Sequence, residues 1–308
     1  LLLGGLICFL ISLCFAEVGG RFQSTGGAYV YAREAFGDFV GFEVGWMTCC
    51  VAVVSWAALA NGFTKALSFF VPVLQEGWAQ TACSCGAVAL LTGVNLLGAR
   101  SGANVVKFFT VAKLIPISIF IVVGLFFLQP VLFEPFAPEG MTPLADAVLL
   151  LMYAYAGFET LVVPAGEMNN PKRSVPLALF IVMAVVTTVY MLVFVVAIGT
   201  FPDLAGHENP IAEASAGFMG AAGATLMAVG IVLSVFGTNS GSALVNPRRF
   251  FALAERGDLP RFLARVSSKT GAPYASILLT GALVCGLTLT GSFAELAALS
   301  VVARFMQY

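Results

Sequence analysis

Charge is scarce in this sequence. Its 308 residues hold 15 Lys and Arg and 16 Asp and Glu, 10% of the chain, against roughly 25% in a soluble domain. Histidine is scarcer still, since the one His, His207, lies in a polar loop. With no clustered acids to accompany it, there is no nucleophile–base pair and no metal set, so an enzyme is not expected and neither is a cofactor or metal. The seven Cys (Cys8, Cys14, Cys49, Cys50, Cys83, Cys85 and Cys285) all fall in apolar runs, without zinc or redox spacing. Cys83-Ser84-Cys85 reads as small packing residues. No Gly-rich phosphate loop with a following Lys is present, which argues against an ATP-driven pump. The net charge of −1 carries no information about nucleic acid, and no nucleic-acid partner is expected. A signal peptide is not visible, because the opening apolar run lacks a basic flank and a cleavage pattern. The chain starts without Met inside one apolar run and closes inside another, so it reads as a fragment cut at both ends.

What the sequence has in abundance is apolar residues: 59% of the chain, with a mean hydropathy of +0.96. Segments long enough to span about 30 Å of hydrocarbon recur throughout. They cover residues 1–15, 41–70, 79–97, 105–128, 147–165, 175–200, 218–245, 274–289 and 293–308. The expected architecture is an all-α polytopic membrane protein, one transmembrane domain over residues 1–308.

The linkers alternate in charge. One set, 17–40, 98–104, 166–174 and 246–273, together with Lys107 one turn into the next span, carries Arg21, Arg33, Arg100, Lys172, Arg173, Arg248, Arg249, Arg256, Arg261, Arg265 and Lys269, twelve of the fifteen basic residues. The other set has no Lys or Arg, but contains Glu76, Glu134, Glu139, Asp146, Asp203, Glu208 and Glu213. The positive-inside rule assigns the first set, including 167–174 and 246–273, to the cytoplasm. A cell membrane, plasma or inner, is the expected location. Within the first set, residues 246–268 interleave Phe250, Phe251 and Leu253 with Arg248, Arg249 and Arg256, between Pro247 and Gly257. That pattern predicts a short amphipathic helix on the membrane surface.

Residues 149–176, LLLMYAYAGFETLVVPAGEMNNPKRSVP, begin as a span and then break its rules. Gly157 sits in mid-span, where Gly is about 1 kcal/mol worse than Ala in a helix. Glu159 follows at bilayer depth, where a carboxylate costs roughly 2.5 kcal/mol or more and marks a functional position by default. Pro164 and Gly166 let the second half bend. A flexible point, an acid and aromatics together describe a discontinuous helix lining a midplane site; the competing reading is a kinked helix with a satisfied, buried Glu.

Two further cations lie inside spans. Lys113, followed by Pro116, either snorkels to the surface or serves a buried role; Lys65, near a span end, reads as a snorkelling residue. Trp56 and Ser55 can be ordinary core. Ser234, Thr238, Asn239, Ser240 and Ser242 form a polar run that helix-packing glue explains in part, with Asn239 harder to place.

Three spaced motifs resemble a known family. Ala16-Glu17-Val18-Gly19-Gly20-Arg21-Phe22, Ser24-Thr25-Gly26-Gly27-Ala28-Tyr29-Val30-Tyr31 and Glu34-Ala35-Phe36-Gly37 resemble the second-span exit of amino acid permeases in the amino acid–polyamine–organocation (APC) superfamily. Tyr155-Ala156-Gly157-Phe158-Glu159, with Gly166-Glu167 and Asn170-Pro171-Lys172-Arg173, resembles the sixth span and the loop after it. Pro247-Arg248-Arg249 through Gly257-Asp258-Leu259-Pro260 resembles the loop after the eighth. The resemblance implies a 5+5 inverted-repeat fold with spans two to ten present, the first span lying before Leu1 and the C-terminal spans also missing. It implies a substrate site at Tyr153, Ala154, Ala156, Gly157, Phe158 and Glu159, faced by Trp56, Asn239 and Ser242. It also matches Lys113 to a fifth-span Lys of proton-coupled members.

The expected function is therefore secondary transport of an amino acid or related amine by alternating access, proton-coupled (or sodium-coupled) symport, with Lys113 and Glu159 as coupling candidates. An exchanger and a passive channel are the alternatives, and a channel would want a more continuous polar lining. The partners are an amino acid substrate, the coupling ion and the lipid bilayer; oligomeric state is left open.

Overall fold

The computed structural model describes residues 1–22, 24–134, 140, 144, 148, 151, 154–202, 204, 210–290, 295–296 and 299–300. Eight α-helices order the described chain: α1 Leu2–Gly19, α2 Ala28–Phe36, α3 Asp38–Leu67, α4 Trp78–Leu96, α5 Ala99–Gly124, α6 Pro171–Thr200, α7 Pro210–Glu255 and α8 Tyr274–Thr288. Six of them (α1, α3, α4, α5 with the 3₁₀ turn to Phe127, α6 and α7) are long and apolar enough to cross a membrane, and α8 is a shorter apolar helix. Between α5 and α6 the chain is described only in part. Most of the 147–165 span up to Tyr153, and most of 293–308, lie outside the described residues.

Two helices differ from the sequence expectation. The linker 17–40 contains α2, nine residues that bury Tyr29 and Val30. The span expected to end at Val245 runs on to Glu255, and a kink at Gly220 interrupts its other end. The surface helix expected over 246–268 is thereby corrected. Its first ten residues continue α7, with Arg248 and Arg249 only 3% and 6% exposed and Phe250 and Leu253 in the core. Pro247 does not stop the helix, and packing against α2 and α3 overrides the local amphipathic pattern.

Three apolar clusters hold the bundle. Tyr29, Trp56, Leu91, Phe250, Leu253 and Val284 join α2, α3, α4, α7 and α8. Cys8, Tyr155, Phe158, Val162, Leu179 and Met183 join α1, the segment after the undescribed stretch, and α6. Phe120, Val196, Ala214 and Met227 join α5, α6 and α7. Because lipid is as apolar as these side chains, close packing and interhelical hydrogen bonds must supply what the hydrophobic effect cannot. Both are visible. A Cβ on Gly230 of α7 would stand 2.8 Å from the ring of Pro116 on α5, so only Gly permits that approach.

Along the α3–α7 seam, three polar side chains of α7 donate to α3 carbonyls in antiparallel register. Asn239 Nδ2 reaches Leu59 O at 2.9 Å, Asn246 Nδ2 reaches Ala52 O at 2.9 Å, and Arg249 Nη1 reaches Thr48 O at 3.1 Å. Each lies about two turns or one turn from the next, so all three share one face.

The four basic linkers meet at one end of the bundle. Arg33 bonds Asp258, Glu167 bonds Arg248, and Gly98 abuts Thr270. Removing a rung of the seam should be measurable: Asn246→Ala is expected to destabilise the bundle by about 1 kcal/mol, the scale of interhelical hydrogen bonds in membranes, in a reversible detergent-unfolding titration. An unchanged midpoint would mean the seam is held by packing alone.

Candidate functional site

The chain after the undescribed stretch does not form a continuous helix. Ala154 and Tyr155 are helical, Ala156 and Gly157 turn, and two short 3₁₀ pieces follow at Phe158–Val162 and Ala165–Glu167. Gly157 adopts φ 118° and ψ −15°, a left-handed conformation that side-chain-bearing residues enter only at a cost of about 1–2 kcal/mol. A Cβ there would meet no atom within 4 Å. The constraint at Gly157 is therefore set by the backbone, with open space beside it.

Breaking a helix at depth frees backbone groups that must find partners. The Gly157 N–H donates to Glu159 Oε2 at 2.8 Å, and Thr160 Oγ1 donates back to the Gly157 carbonyl at 2.6 Å. Glu159, 9% exposed, thus folds onto the break two residues before it. Phe158 is buried in the core and meets Phe15 of α1 edge-on at 6.0 Å. Tyr190 of α6 donates to the Ala154 carbonyl at 3.0 Å.

Glu159 also faces Arg249. Both line a cavity of about 20 Å³ shared with Phe15, Gly26, Ala28, Thr48 and Val163, room for about one water molecule. Opposite charges, a carboxylate and a guanidinium, are thus buried on the same small cavity. The Gly26 N–H closes one side by donating to the Val163 carbonyl at 2.9 Å.

Beyond this cavity, towards the basic end, two clasps bind neighbouring elements to the end of α7. Arg248 grips Glu167 through Nε and Nη2, at 2.5 and 2.9 Å, and also donates to the Leu244 carbonyl. Asp258 Oδ2 accepts from Tyr29 Oη at 2.5 Å and Arg33 Nη1 at 2.9 Å, while Arg33 Nε holds Asp38 at 2.7 Å. Burial, then the bond to Asp258, pushes the Tyr29 phenol up to about 12, so it stays a donor at any physiological pH. Arg256 stacks over the same ring, 5.8 Å from its centroid.

The remaining candidates separate into two neighbourhoods. Trp56 (1% exposed) and Asn239 (1% exposed) are buried at the α3–α7 seam. Trp56 Nε1 and Asn239 Oδ1 make no hydrogen bond among the described residues. Ser242 is half-buried one turn further along α7, and Ala156 is half-buried at the break, whereas Ala154 is exposed. Tyr153 lies outside the described residues. Lys113 is half-buried on α5. It shares a helical stripe with Phe109 and Pro116, which pack on Gly237 and Gly230 of α7, so its stem runs along the α5–α7 contact. Lys65, by contrast, is exposed at the end of α3. Among the described residues no cluster of three metal-ligating side chains occurs.

Sequence reasoning missed Arg249, Thr48 and the Arg248–Glu167 clasp. The one available signal was that the apolar helical pattern FFALAE continues past the Arg doublet, which marks those arginines as inside a helix that packs.

A bundle of membrane-length apolar helices, with one helix interrupted around a buried carboxylate, defines an integral membrane protein of the solute-carrier class. The amino acid permease family matches residues 1–308, and the chain belongs to that family, within the APC superfamily that the motifs resemble. It is 30% identical to the serine/threonine exchanger SteT of Bacillus subtilis, over 100% of this chain and 71% of the relative. It is 31% identical to the large neutral amino acids transporter small subunit 2 of Mus musculus, over 90% of this chain and 54% of the relative. It is 27% identical to the vacuolar cationic amino acid transporter 4 of Arabidopsis thaliana, over 99% of this chain and 54% of the relative. These relatives are transporters, and the chain is accordingly a permease rather than an enzyme.

The break at Gly157 sets a test of its own. Gly157→Val is expected to fold and insert yet lose substrate binding, because the left-handed turn strains any Cβ-bearing residue. Normal binding affinity in that variant would mean the turn is dispensable. Tyr29→Phe should cost about 2 kcal/mol of stability by removing a hydrogen bond to a charged partner. Equal unfolding midpoints of variant and parent would relieve Tyr29 of that role.

Proposed function

We propose that this permease carries an amino acid, or a related amine, across the membrane by alternating access, driven by a proton gradient. The observation that carries this reading is the break at Gly157, with Glu159 folded onto the freed N–H. The backbone N–H freed at the break is held by a side chain rather than by the helix, and a group that a zwitterion's carboxylate can take over suits such a substrate. Ala154, Ala156, Gly157, Phe158, Glu159 and Tyr153 would contribute from the broken segment. Trp56, Asn239 and Ser242 would face it from α3 and α7. The buried indole N–H and amide oxygen at that seam support a polar ligand there.

Lys113 is the proposed coupling residue, with Glu159 second. A lysine held along a helix contact can release its proton when desolvated and recover it when wetted, so one proton per cycle could be loaded and unloaded. Sodium coupling remains the variant reading in which that position takes a metal cation. The kinship with a serine/threonine exchanger favours a second mode, obligate exchange, in which one substrate leaves for each that enters. The basic end of the bundle, with 167–174 and 246–273, is proposed to face the cytoplasm of a cell membrane.

Counterflow in proteoliposomes tests carriage itself. Labelled substrate should accumulate transiently against unlabelled substrate inside, whereas equilibration without overshoot would indicate a pore. Lys113→Met should keep binding but lose accumulation driven by an imposed pH gradient. The same gradient response as the parent would make Lys113 a structural residue. For sidedness, cysteine at Ser174 or Ser268 in a Cys-less background should resist an impermeant thiol reagent in whole cells, and cysteine at Gln75 should label. The reverse pattern would invert the topology.

A further inference from the structure

The surface helix expected over 246–268 is replaced up to Glu255 by the end of α7. Once α7 takes up the chain to Glu255, the stretch left at the surface is 256–273, whose one acid is Asp258. A 3₁₀ turn, Arg261–Ala264, packs against α7 and α8 there. It is anchored from beneath: Leu263 is buried, and its carbonyl accepts from Ser276 Oγ of α8 at 2.8 Å. The loop that follows is closed by the Ser267 N–H donating to the Ala272 carbonyl at 2.9 Å.

With Leu263 turned inward, the neighbouring side chains turn outward in a repeating order. Arg261 and Phe262 come first, then Arg265 and Val266, then Lys269. The three cations are exposed, and Phe262 and Val266 are 53% and 48% exposed. The far end of the strap abuts the turn between α4 and α5, where Gly98, two residues before exposed Arg100, lies against the Thr270 carbonyl. Among the described residues, none of Arg100, Arg261, Arg265 and Lys269 forms an ion pair. The nearest carboxylate in sequence, Asp258, is already held by Arg33 and Tyr29.

Fixed cations alternating with exposed apolar side chains do not suit bulk water. They suit the headgroup layer, where an apolar side chain dips towards the acyl region while the neighbouring cation meets a phosphate. We propose that residues 261–269, with Arg100, form a binding surface for anionic phospholipid headgroups that seats the α7–α8 corner in the membrane interface. The strap supplies charge complementarity, Phe262 and Val266 supply depth, and the Leu263 and Ser276 anchors tie the strap's backbone to α8. This surface is independent of the transported substrate and of which compartment the basic end faces.

The test uses the full chain in neutral detergent, with native mass spectrometry counting retained phosphatidylglycerol against phosphatidylcholine, and thermal unfolding in vesicles of phosphatidylcholine with or without about a third phosphatidylglycerol. The expected result is roughly a ten-fold preference for the anionic lipid, a higher unfolding midpoint in its presence, and loss of both near 1 M salt, where screening extends to about 3 Å. The triple variant Arg261→Gln, Arg265→Gln, Lys269→Gln should retain both lipids equally while unfolding as the parent does in phosphatidylcholine alone. Arg261→Lys with Arg265→Lys should keep the preference, and Phe262→Ser with Val266→Ser should weaken retention while leaving its salt dependence. Free glycerol phosphate should not displace the lipid. Absence of preference in the parent, or a triple variant that retains phosphatidylglycerol as the parent does, would overturn the proposal. Should the triple variant fail to fold, the parent's salt titration and the lysine variant decide the matter by the same criteria.

Discussion

A carboxylate folded back onto the backbone it follows is the interaction around which this bundle is arranged. Hydrocarbon offers no water to a freed N–H, so a helix can break at membrane depth only where the protein supplies the partner. Glu159 supplies it to Gly157, and Thr160 serves the carbonyl of the same residue. The acid itself then needs a setting that tolerates charge. The cavity it shares with Arg249 provides one, at a place where α1, α3, α7 and the start of α2 converge. The break, the buried arginine and the extended α7 that carries it are thus one connected solution.

The scaffold around the break is held in two distinct ways. The α3–α7 seam is fixed along its length by side-chain amides and a guanidinium donating to carbonyls, and by the packing of Trp56 and Leu253. The broken segment packs instead against α1 and α6. Its downstream end is tied to α7 by the bidentate Arg248–Glu167 pair, in which Arg248 is nearly buried and Glu167 is 39% exposed. The broken segment is therefore held by apolar packing, by hydrogen bonds to the Ala154 and Val163 carbonyls and by one partly wetted ion pair, whereas the seam is held by buried amides and a guanidinium.

Length and polarity of the spans were legible because the bilayer reads them directly: a stretch either carries enough apolar residues to cross or it does not. The ends of α3, α4, α6 and α8 lie close to where hydropathy put them. The break at Gly157 was legible for a similar reason, since Gly, an acid and Pro in one span are individually costly in lipid. Where the sequence misled, long-range packing had decided the outcome. Residues 246–255 carry an amphipathic surface pattern. Yet Arg248 finds Glu167, 81 residues away, and Arg249 finds Thr48, 201 residues away, and those partners make burial favourable. Nothing local in 28–36 announces that Tyr29 will meet Asp258, 229 residues on.

The sequence by itself determined that this chain lives in a membrane, that its basic residues gather in alternate linkers, and that one span carries a Gly, an acid and a Pro that a continuous apolar helix would avoid. Those follow from the free energy of moving each residue type into hydrocarbon, a quantity that depends on composition and order alone. Only the tertiary structure decided that Glu159 faces Arg249, that the arginine doublet is interior, and that the surface strap begins at Arg261 rather than at Arg248. Those depend on which distant groups arrive to satisfy a buried charge, and that is settled by how the helices pack.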